Sequence, residues 1–173
     1  MNVLLVNGSP RKEGATKRAL KVVAFALEAA GIEVSWFELG NKPVRGCRAC
    51  EGCARRGGRC VFGDDGANSL IETIIAADGV IIGTPVYFAG ANGALLALLD
   101  RVFYAASEHG RQFSGKPAAS IATVWRAGAV AALDEINRYF LFSGMPVVSA
   151  NYWPMRFSSS TDSFGDNNLA LLG

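Results

Sequence analysis

The residues of this chain that could do chemistry concentrate in two short stretches. One holds all four cysteines of the protein, at Cys47, Cys50, Cys53 and Cys60. The other is an early loop, 7–16, which reads Asn-Gly-Ser-Pro-Arg-Lys-Glu-Gly-Ala-Thr. Thiolates bind soft metals or take part in redox reactions, whereas glycines, hydroxyl groups and cations at the start of a helix bind phosphate. The chain therefore contains one candidate metal or redox site and one candidate phosphate site.

The early loop predicts a site for a single phosphate group. Ser9 and Thr16 supply hydroxyl groups, and Arg11 supplies a bidentate donor. The N–H groups of residues 11–16, Gly14 and Ala15 among them, are expected to converge on an anion at the helix N-terminus. The glycine patterns of a Walker P-loop and of a dinucleotide-binding fold are both absent. The alternative is an ordinary strand-to-helix turn in which Thr16 is only the N-cap.

The spacing of the cysteines leaves three interpretations open. The first three are separated by two residues each, and six residues precede the fourth, which lets four thiolates converge on one iron–sulfur cluster. Zinc sites with four cysteines usually pair two Cys-x-x-Cys knuckles across a longer gap, so zinc fits less well. Free or redox-active thiols are the third interpretation. Nearby arginines are expected to lower the thiol pKa values and to attract an acidic electron-transfer partner; they are Arg45, Arg48, Arg55, Arg56 and Arg59.

Strand-like and helix-like runs alternate along the chain and must position these two stretches. Strands are predicted over 3–6, 34–39, 79–83, 117–124 and 146–150, and helices over 16–30, 67–77, 91–104 and 129–142. This alternation predicts an α/β domain with a doubly wound, five-stranded parallel sheet of order 2-1-3-4-5. In that order ligands bind beyond the carboxyl ends of strands 1 and 3. The loops 7–16 and 84–90 follow those two strands.

Length and composition predict one globular domain, 1–173, with a cysteine-rich insertion at about 40–66. The net charge of +2 argues against a nucleic-acid partner, and no apolar run is long enough for a membrane span. Since no signal-peptide layout precedes the first strand, a cytoplasmic location is expected. The polar segment after residue 154 leaves room for only a shortened C-terminal helix. We therefore expect a second copy to cover the exposed apolar surface, in a homodimer or homotetramer.

Four sequence motifs resemble those of the flavodoxin-like NAD(P)H-dependent FMN reductases, and among them the iron–sulfur flavoproteins. The matching segments are 7–11 with Gly14-x-Thr16, 83–88 (Gly-Thr-Pro-Val-Tyr-Phe), Leu99-Asp100-Arg101, and the end of the cysteine segment, Gly58-Arg59-Cys60-Val61-x-x-Asp64-Asp65. Two positions depart from the pattern. Ala15 stands where Asn is common, so one side-chain contact to phosphate is missing, and Asn92 stands where Ser is common.

The resemblance implies a flavodoxin-like fold that binds FMN. The phosphate would lie against Ser9, Arg11, Gly14, Ala15 and Thr16, and the isoalloxazine ring would lie against Thr84, Pro85, Val86, Tyr87 and Phe88. The loop after the fourth predicted strand would close the other side of the ring with Trp125, Arg126 and Gly128. The compact motif of Cys47, Cys50, Cys53 and Cys60 implies a [4Fe–4S] cluster.

Two functions follow from this resemblance. The first is an oxidoreductase that passes electrons from NAD(P)H through FMN to a quinone, a flavin, a metal cluster or another small acceptor. The alternative is an electron carrier that contains FMN and a [4Fe–4S] cluster and is reduced by a ferredoxin-like donor. A zinc-stabilised binding module is a more distant alternative. No residue is assigned a catalytic role, because the only histidine, His109, lies in a polar connection and triad hydrolysis through a histidine is unsupported.

Overall fold

The computed structural model describes residues 1–63 and 65–158, so Asp64 and the predicted short C-terminal helix lie outside the described residues. The strands are β1 (Asn2–Asn7), β2 (Glu33–Glu38), β3 (Gly79–Tyr87), β4 (Gly90–Ala91), β5 (Ala118–Val124) and β6 (Met155–Phe157). The helices are α1 (Ala15–Ala29), α2 (Ala67–Ala76), α3 (Gly93–Ser107) and α4 (Ala129–Phe142), with a 3₁₀ turn at Ala54–Arg56. No helix within these ranges is long and apolar enough to cross a membrane.

The five main strands are parallel and follow the order β2-β1-β3-β5-β6. The short strand β4 forms an antiparallel hairpin with the end of β3 and is not part of this path. When β4 is left out of the count, the order is 2-1-3-4-5, so the predicted topology is confirmed. Val6 of β1 lies opposite Phe37 of β2 and Ile82 of β3. The carboxyl ends of these three strands therefore meet at one edge, where a doubly wound sheet binds its ligands.

The two faces of the sheet carry cores of different size. Leu4 and Val6 of β1 pack into the larger core, which α2, α3 and α4 cover, whereas Leu5 packs into the smaller core beneath α1. This alternation follows from the period of two along a strand. Among the described residues, α1 is the only helix on its face, and Trp36 remains half-buried there.

The fifth strand predicted at 146–150 is wrong. Val147 forms only an isolated bridge with Ala118, and the chain then leaves the sheet and returns as β6, which pairs with the end of β5. The edge strand is thus in two pieces, separated by the mostly exposed residues 149–154. The pairing is decided at the edge of β5, because the N–H and C=O groups there can form hydrogen bonds with any extended segment that reaches them. The local apolar run does not contain this information.

The third strand continues further than predicted, and α3 begins later. Residues 84–87 were expected in a loop, but they extend β3 to Tyr87, in keeping with the strand preference of Thr, Val and Tyr. The predicted start of the helix at residue 91 is wrong by two residues. Asn92 caps α3 by accepting a hydrogen bond from the Ala94 N–H at 3.2 Å, which is the role that Asn prefers at a helix start.

Candidate functional site

The loop after β1, residues 8–14, is held in place by bonds to its neighbours. The Gly8 N–H donates to the carbonyl oxygen of Gly83 at 2.8 Å, and the Ser9 N–H donates to Asn7 Oδ1 at 3.2 Å. The side-chain amide of Asn92 donates to the carbonyl oxygen of Gly8 at 2.8 Å. Asn7 and Ser9 are themselves buried. We refer to this loop and the first turn of α1 as the cradle.

The start of α1 leaves donors open in the cradle. The N-cap is Gly14, with no side-chain cap, and the first turn contains no acidic residue. The alternative in which Thr16 is the N-cap is therefore wrong. The N–H groups of a first turn have no acceptor within the helix and are positioned for an anion. Two of the expected donors are engaged within the loop, because the Arg11 N–H bonds to Ser9 Oγ and the Gly14 N–H to the Arg11 carbonyl.

Thr16 is buried, and its hydroxyl group is already engaged within the protein. Its Oγ1 lies 2.7 Å from Thr123 Oγ1 on β5, and Thr123 also donates to the carbonyl oxygen of Thr84 at 3.4 Å. The predicted site residues Thr16 and Thr84 are thus brought to one edge through Thr123. Sequence reasoning missed Thr123, since only the adjacency of β3 and β5 gives it this role.

The loop after β3 is a tight hairpin that presents aromatic rings to solvent. Its two turn residues, Phe88 and Ala89, have φ angles of 49° and 63°, which cost energy in residues other than glycine. Phe88 is fully exposed, and Tyr87 is 44% exposed. From α4, Glu135 accepts a hydrogen bond from the Ala91 N–H at 2.7 Å and holds the hairpin. Strained backbone that carries exposed aromatic groups is typical of a binding site.

The loop after β5, residues 125–128, packs directly against this hairpin. A Cβ at Gly128, where φ is 93°, would lie 2.5 Å from the Cα atom of Ala89, so only glycine permits this approach. Trp125 is exposed, and the Arg126 guanidinium lies 4.9 Å from the centre of its ring. The predicted ring-binding residues of both loops are therefore neighbours, with Thr84 buried and Pro85 and Val86 half-buried beneath them.

Asn92 and Glu135 are two positioning residues that sequence reasoning did not assign to the site. Asn92 donates its backbone N–H to Thr84 Oγ1 at 3.0 Å, in addition to its bonds to Gly8 and Ala94. It therefore links the cradle, the end of β3 and α3. An Asn directly before a helical pattern is a capping signal that could have identified it. Glu135 gave no such signal.

All four cysteines line a single small pocket, together with Phe62, Arg101 and Tyr104. Cys53 is buried and Cys60 is half-buried, whereas Cys47 and Cys50 are exposed. In the part of the chain that the structure describes, no group of three or more His, Cys, Asp or Glu side chains is arranged to hold a metal ion. The thiols share one pocket, but they do not converge in this structure. As a donor set, four thiols in one pocket fit an iron–sulfur cluster chemically.

A buried arginine forms the inner wall of the cysteine pocket. Arg101 on α3 is 2% exposed, and its Nε atom donates to Cys60 Sγ at 3.2 Å. Its terminal nitrogens form an ion pair with Asp65 and donate to the carbonyl oxygens of Phe62 and Arg45. Arg101 therefore joins both ends of the cysteine segment to the core helix α3.

The electrostatics of the pocket differ from the expectation that arginines lower every thiol pKa. Burial raises the pKa of Cys53 and outweighs the backbone N–H groups of Cys53 and Ala54, which lower it; the Glu108 carboxylate raises it further. Burial would also raise the pKa of Asp65, but the Arg101 hydrogen bond and charge outweigh it and lower that pKa. Arg101 is thus the cation that lowers the pKa of Asp65.

Residues 1–159 of the chain match the family of NADPH-dependent FMN reductases. The chain belongs to this family. Two iron–sulfur flavoproteins of Methanocaldococcus jannaschii are 31% identical over 153 residues and 33% identical over 147 residues. These matches cover 87% and 84% of this chain and 77% and 73% of the two relatives. Within the family, the chain falls in the subgroup of the iron–sulfur flavoproteins, as its motifs predicted.

The fold of this family member is flavodoxin-like. A flavodoxin, WrbA-like protein from Agrobacterium tumefaciens superposes with a TM-score of 0.65 at 21% identity, covering 99% of this chain and 90% of the other. Membership of the FMN reductase family supports FMN as the cofactor and oxidoreductase as the class of protein. The open donors of the cradle fit the phosphate end of that cofactor.

Proposed function

We propose that this protein binds FMN across the loops after β1, β3 and β5 and passes electrons from NAD(P)H through FMN to a small acceptor. The observation that carries the proposal is the cradle, whose open N–H groups lie at the same edge of the sheet as two loops with exposed aromatic rings. Quinones, free flavins and metal complexes are the acceptor classes that this open edge would admit. The cytoplasm, where NAD(P)H is available, is the proposed location.

The cradle would hold the phosphate through the first turn of α1, the Ser9 hydroxyl and the Arg11 guanidinium. Arg11 is exposed beside the start of α1, so its guanidinium group can turn toward an anion. Gly14 and Ala15 place no bulky side chain at the mouth of the helix. Thr16 would contribute by releasing its bond to Thr123.

The hairpin and the loop 125–128 would enclose the ring. The hairpin contributes Pro85, Val86, Tyr87 and Phe88, and the other loop contributes Trp125, Arg126 and Gly128. FMN, when bound, supplies hydride acceptance from a nicotinamide and onward electron transfer. The part of the protein is to orient the ring, to exclude water from one face and to direct backbone N–H groups at its polar edge.

The phosphate assignment is tested by comparing FMN with riboflavin, which lacks the phosphate. We expect the wild type to bind FMN more tightly than riboflavin. Arg11→Ala should weaken FMN binding by about 1–3 kcal/mol, or about five- to 150-fold in Kd, and leave riboflavin unchanged. Lys12→Ala is the matched control, because Lys12 is a cation of the same loop and is also exposed. Equal losses for both ligands, or none for FMN, would remove Arg11 from the site.

The electron donor is tested by anaerobic stopped-flow spectroscopy of the FMN-loaded protein. NADPH, NADH and a reduced ferredoxin are mixed separately with the protein, and the loss of flavin absorbance is followed. Rapid bleaching by a nicotinamide supports the reductase. Bleaching by ferredoxin alone would replace it with the electron carrier.

The second candidate is that electron carrier, with FMN and a [4Fe–4S] cluster. The observation that favours it is the single pocket shared by Cys47, Cys50, Cys53 and Cys60, with a buried arginine bonded to one sulfur. Iron, zinc and sulfide analysis of protein purified without oxygen distinguishes the metals. Iron and sulfide in equal amounts support the cluster, and zinc alone or no metal contradicts it.

We also propose that the protein is a homodimer or homotetramer. The support is apolar surface: Phe25 on α1 and Leu141 and Phe142 on α4 are all well exposed, and Trp36 is half-buried beneath α1. Sedimentation velocity at micromolar concentration tests this. A single species of 18.3 kDa would contradict it.

A further inference from the structure

We propose that Arg101 is the positioning residue of the cysteine pocket. It holds Cys60 at a defined place against α3. It also keeps a buried positive charge beside the Cys60 sulfur, and therefore beside any group that the four thiols bind. The proposal deepens the second candidate function and rests on it only where a cluster is concerned. The placement of Cys60 is independent of any bound group.

The contacts of Arg101 use its whole guanidinium group. Nε donates to Cys60 Sγ at 3.2 Å, one terminal nitrogen serves Asp65 and the Arg45 carbonyl, and the other serves the Phe62 carbonyl. A planar fork with five donors can serve all four partners at once. Lysine, with a single ammonium group on a flexible stem, cannot match this arrangement.

Cys60 is additionally held through its backbone. Its N–H donates to Asn68 Oδ1 at 2.8 Å, and its carbonyl accepts from Asn68 Nδ2 at 3.0 Å. Asn68 lies in the first turn of α2, so Cys60 is bonded to two core helices. In contrast, Cys47 and Cys50 lie on an exposed stretch where Ala49 and Glu51 have positive φ angles.

This contrast separates the four thiols into two pairs. Cys53 is buried and Cys60 is half-buried and held by hydrogen bonds to two helices, whereas Cys47 and Cys50 are exposed. A buried cation with an N–H···S bond also favours the more negative, reduced form of a cluster. Arg101 should therefore raise the reduction potential of the cluster, since hydrogen bonds to sulfur and net charge set that potential.

The test compares Arg101→Lys and Arg101→Gln with Arg59→Gln. Arg59 neighbours Cys60 in sequence, but its ion pair with Glu72 is exposed, so it is the matched control. Each protein is reconstituted anaerobically with ferrous iron and sulfide. Iron and sulfide per chain, the midpoint potential and the FMN content are then measured. The FMN content reports whether each variant is folded.

We expect Arg59→Gln to match the wild type. Arg101→Lys should bind less iron, and Arg101→Gln should bind least, with a lower midpoint potential in any cluster that forms. Wild-type iron content and potential in both Arg101 variants would overturn the proposal. If neither variant retains FMN, Asp65→Asn provides the same test. It removes the carboxylate that orients Arg101, and it leaves the positive charge of Arg101 in place. Wild-type iron content in that variant would then count against the proposal.

If the wild type takes up no iron, the cluster fails as a function and Arg101 is tested by alkylation. The rates at which a maleimide modifies Cys60 and Cys47 are read from peptide masses at one pH. We expect Cys60 to react several-fold faster in Arg101→Lys than in the wild type, with Cys47 unchanged. An unchanged rate at Cys60 would overturn the proposal.

Discussion

The cradle and the cysteine segment begin at the same edge of the sheet, after the carboxyl ends of β1 and β2, but they are stabilised in different ways. The cradle is short, and its first residue, Gly8, is bonded through its N–H group to Gly83 and through its carbonyl oxygen to Asn92. The cysteine segment runs from the end of β2 to α2 and is mostly exposed, and a buried arginine holds its two ends. The backbone of the cradle is thus fixed by the fold, whereas in the cysteine pocket hydrogen bonds to two helices hold Cys60, and Cys47 and Cys50 are exposed.

The largest effect is expected from breaking the buried ion pair. Asp65→Ala leaves Arg101 charged and buried without its carboxylate, which should lower the free energy of unfolding by about 3–5 kcal/mol. The Asp65 side chain is only 6% exposed, so solvent offers little compensation. Chemical denaturation of the apoprotein measures the loss.

The control for that variant is Arg59→Gln. The side chains of Arg59 and Glu72 are 56% and 52% exposed, and exposed pairs contribute less than about 1 kcal/mol. If both variants lose the same stability, burial of the Arg101 pair is not the stabilising factor.

The cradle should be sensitive to a methyl group added at Gly8, whereas the cysteine segment should tolerate one at Gly46. A Cβ at Gly8 would lie 2.6 Å from the Gly83 carbonyl oxygen and 2.4 Å from Leu95, whereas a Cβ at Gly46 would meet nothing within 4 Å. Gly8→Ala should therefore cost about 1–3 kcal/mol of stability and weaken FMN binding. Gly46→Ala should stay within about 0.5 kcal/mol of the wild type. Thermal melts with and without FMN compare the two, and equal behaviour would contradict a preformed cradle.

Two substitutions at Asn92 distinguish its role as the cap of α3 from its support of the cradle. Asn92→Ala loses the cap of α3 and the bond to the Gly8 carbonyl, so we expect a loss of about 1–2 kcal/mol in stability. Asn92→Ser keeps an N-cap hydroxyl but loses the bond to Gly8. Its stability should fall by less than that of Asn92→Ala, because the cap is kept, while its FMN affinity falls as in Asn92→Ala. A wild-type affinity in both variants would show that the cradle does not depend on this side chain.

The smallest effect concerns pH. Because Arg101 lowers the pKa of Asp65 below its usual 3.8 in the folded protein, the unfolded chain binds more protons there as the solution becomes acidic. The contribution of this pair is therefore present above about pH 4 and is lost as the pH falls further. Asp65→Asn should flatten the acid limb of a stability–pH profile. An identical profile in the variant would mean that other carboxylates dominate.

Local patterns explain why most of the fold could be predicted. The periods of two and 3.6 residues located four strands and four helices, and their alternation led to the sheet order. The edge strand was misplaced because its pairing is decided by β5, not by residues 146–150. The hairpin at Phe88 and Ala89 was also missed, since these residues adopt a conformation that their own preferences oppose.

The sequence by itself determined which chemical groups are available: a glycine- and hydroxyl-rich loop at a helix start, aromatic residues at the end of β3 and just after it, and four closely spaced cysteines. Residue type and spacing along the chain are sufficient for that. Only the tertiary structure decided that Thr123, Asn92 and Glu135 connect the loops, and that Arg101 reaches Cys60. These contacts join residues 41 to 107 positions apart. Their pairing depends on how the helices and strands pack, which no local pattern records.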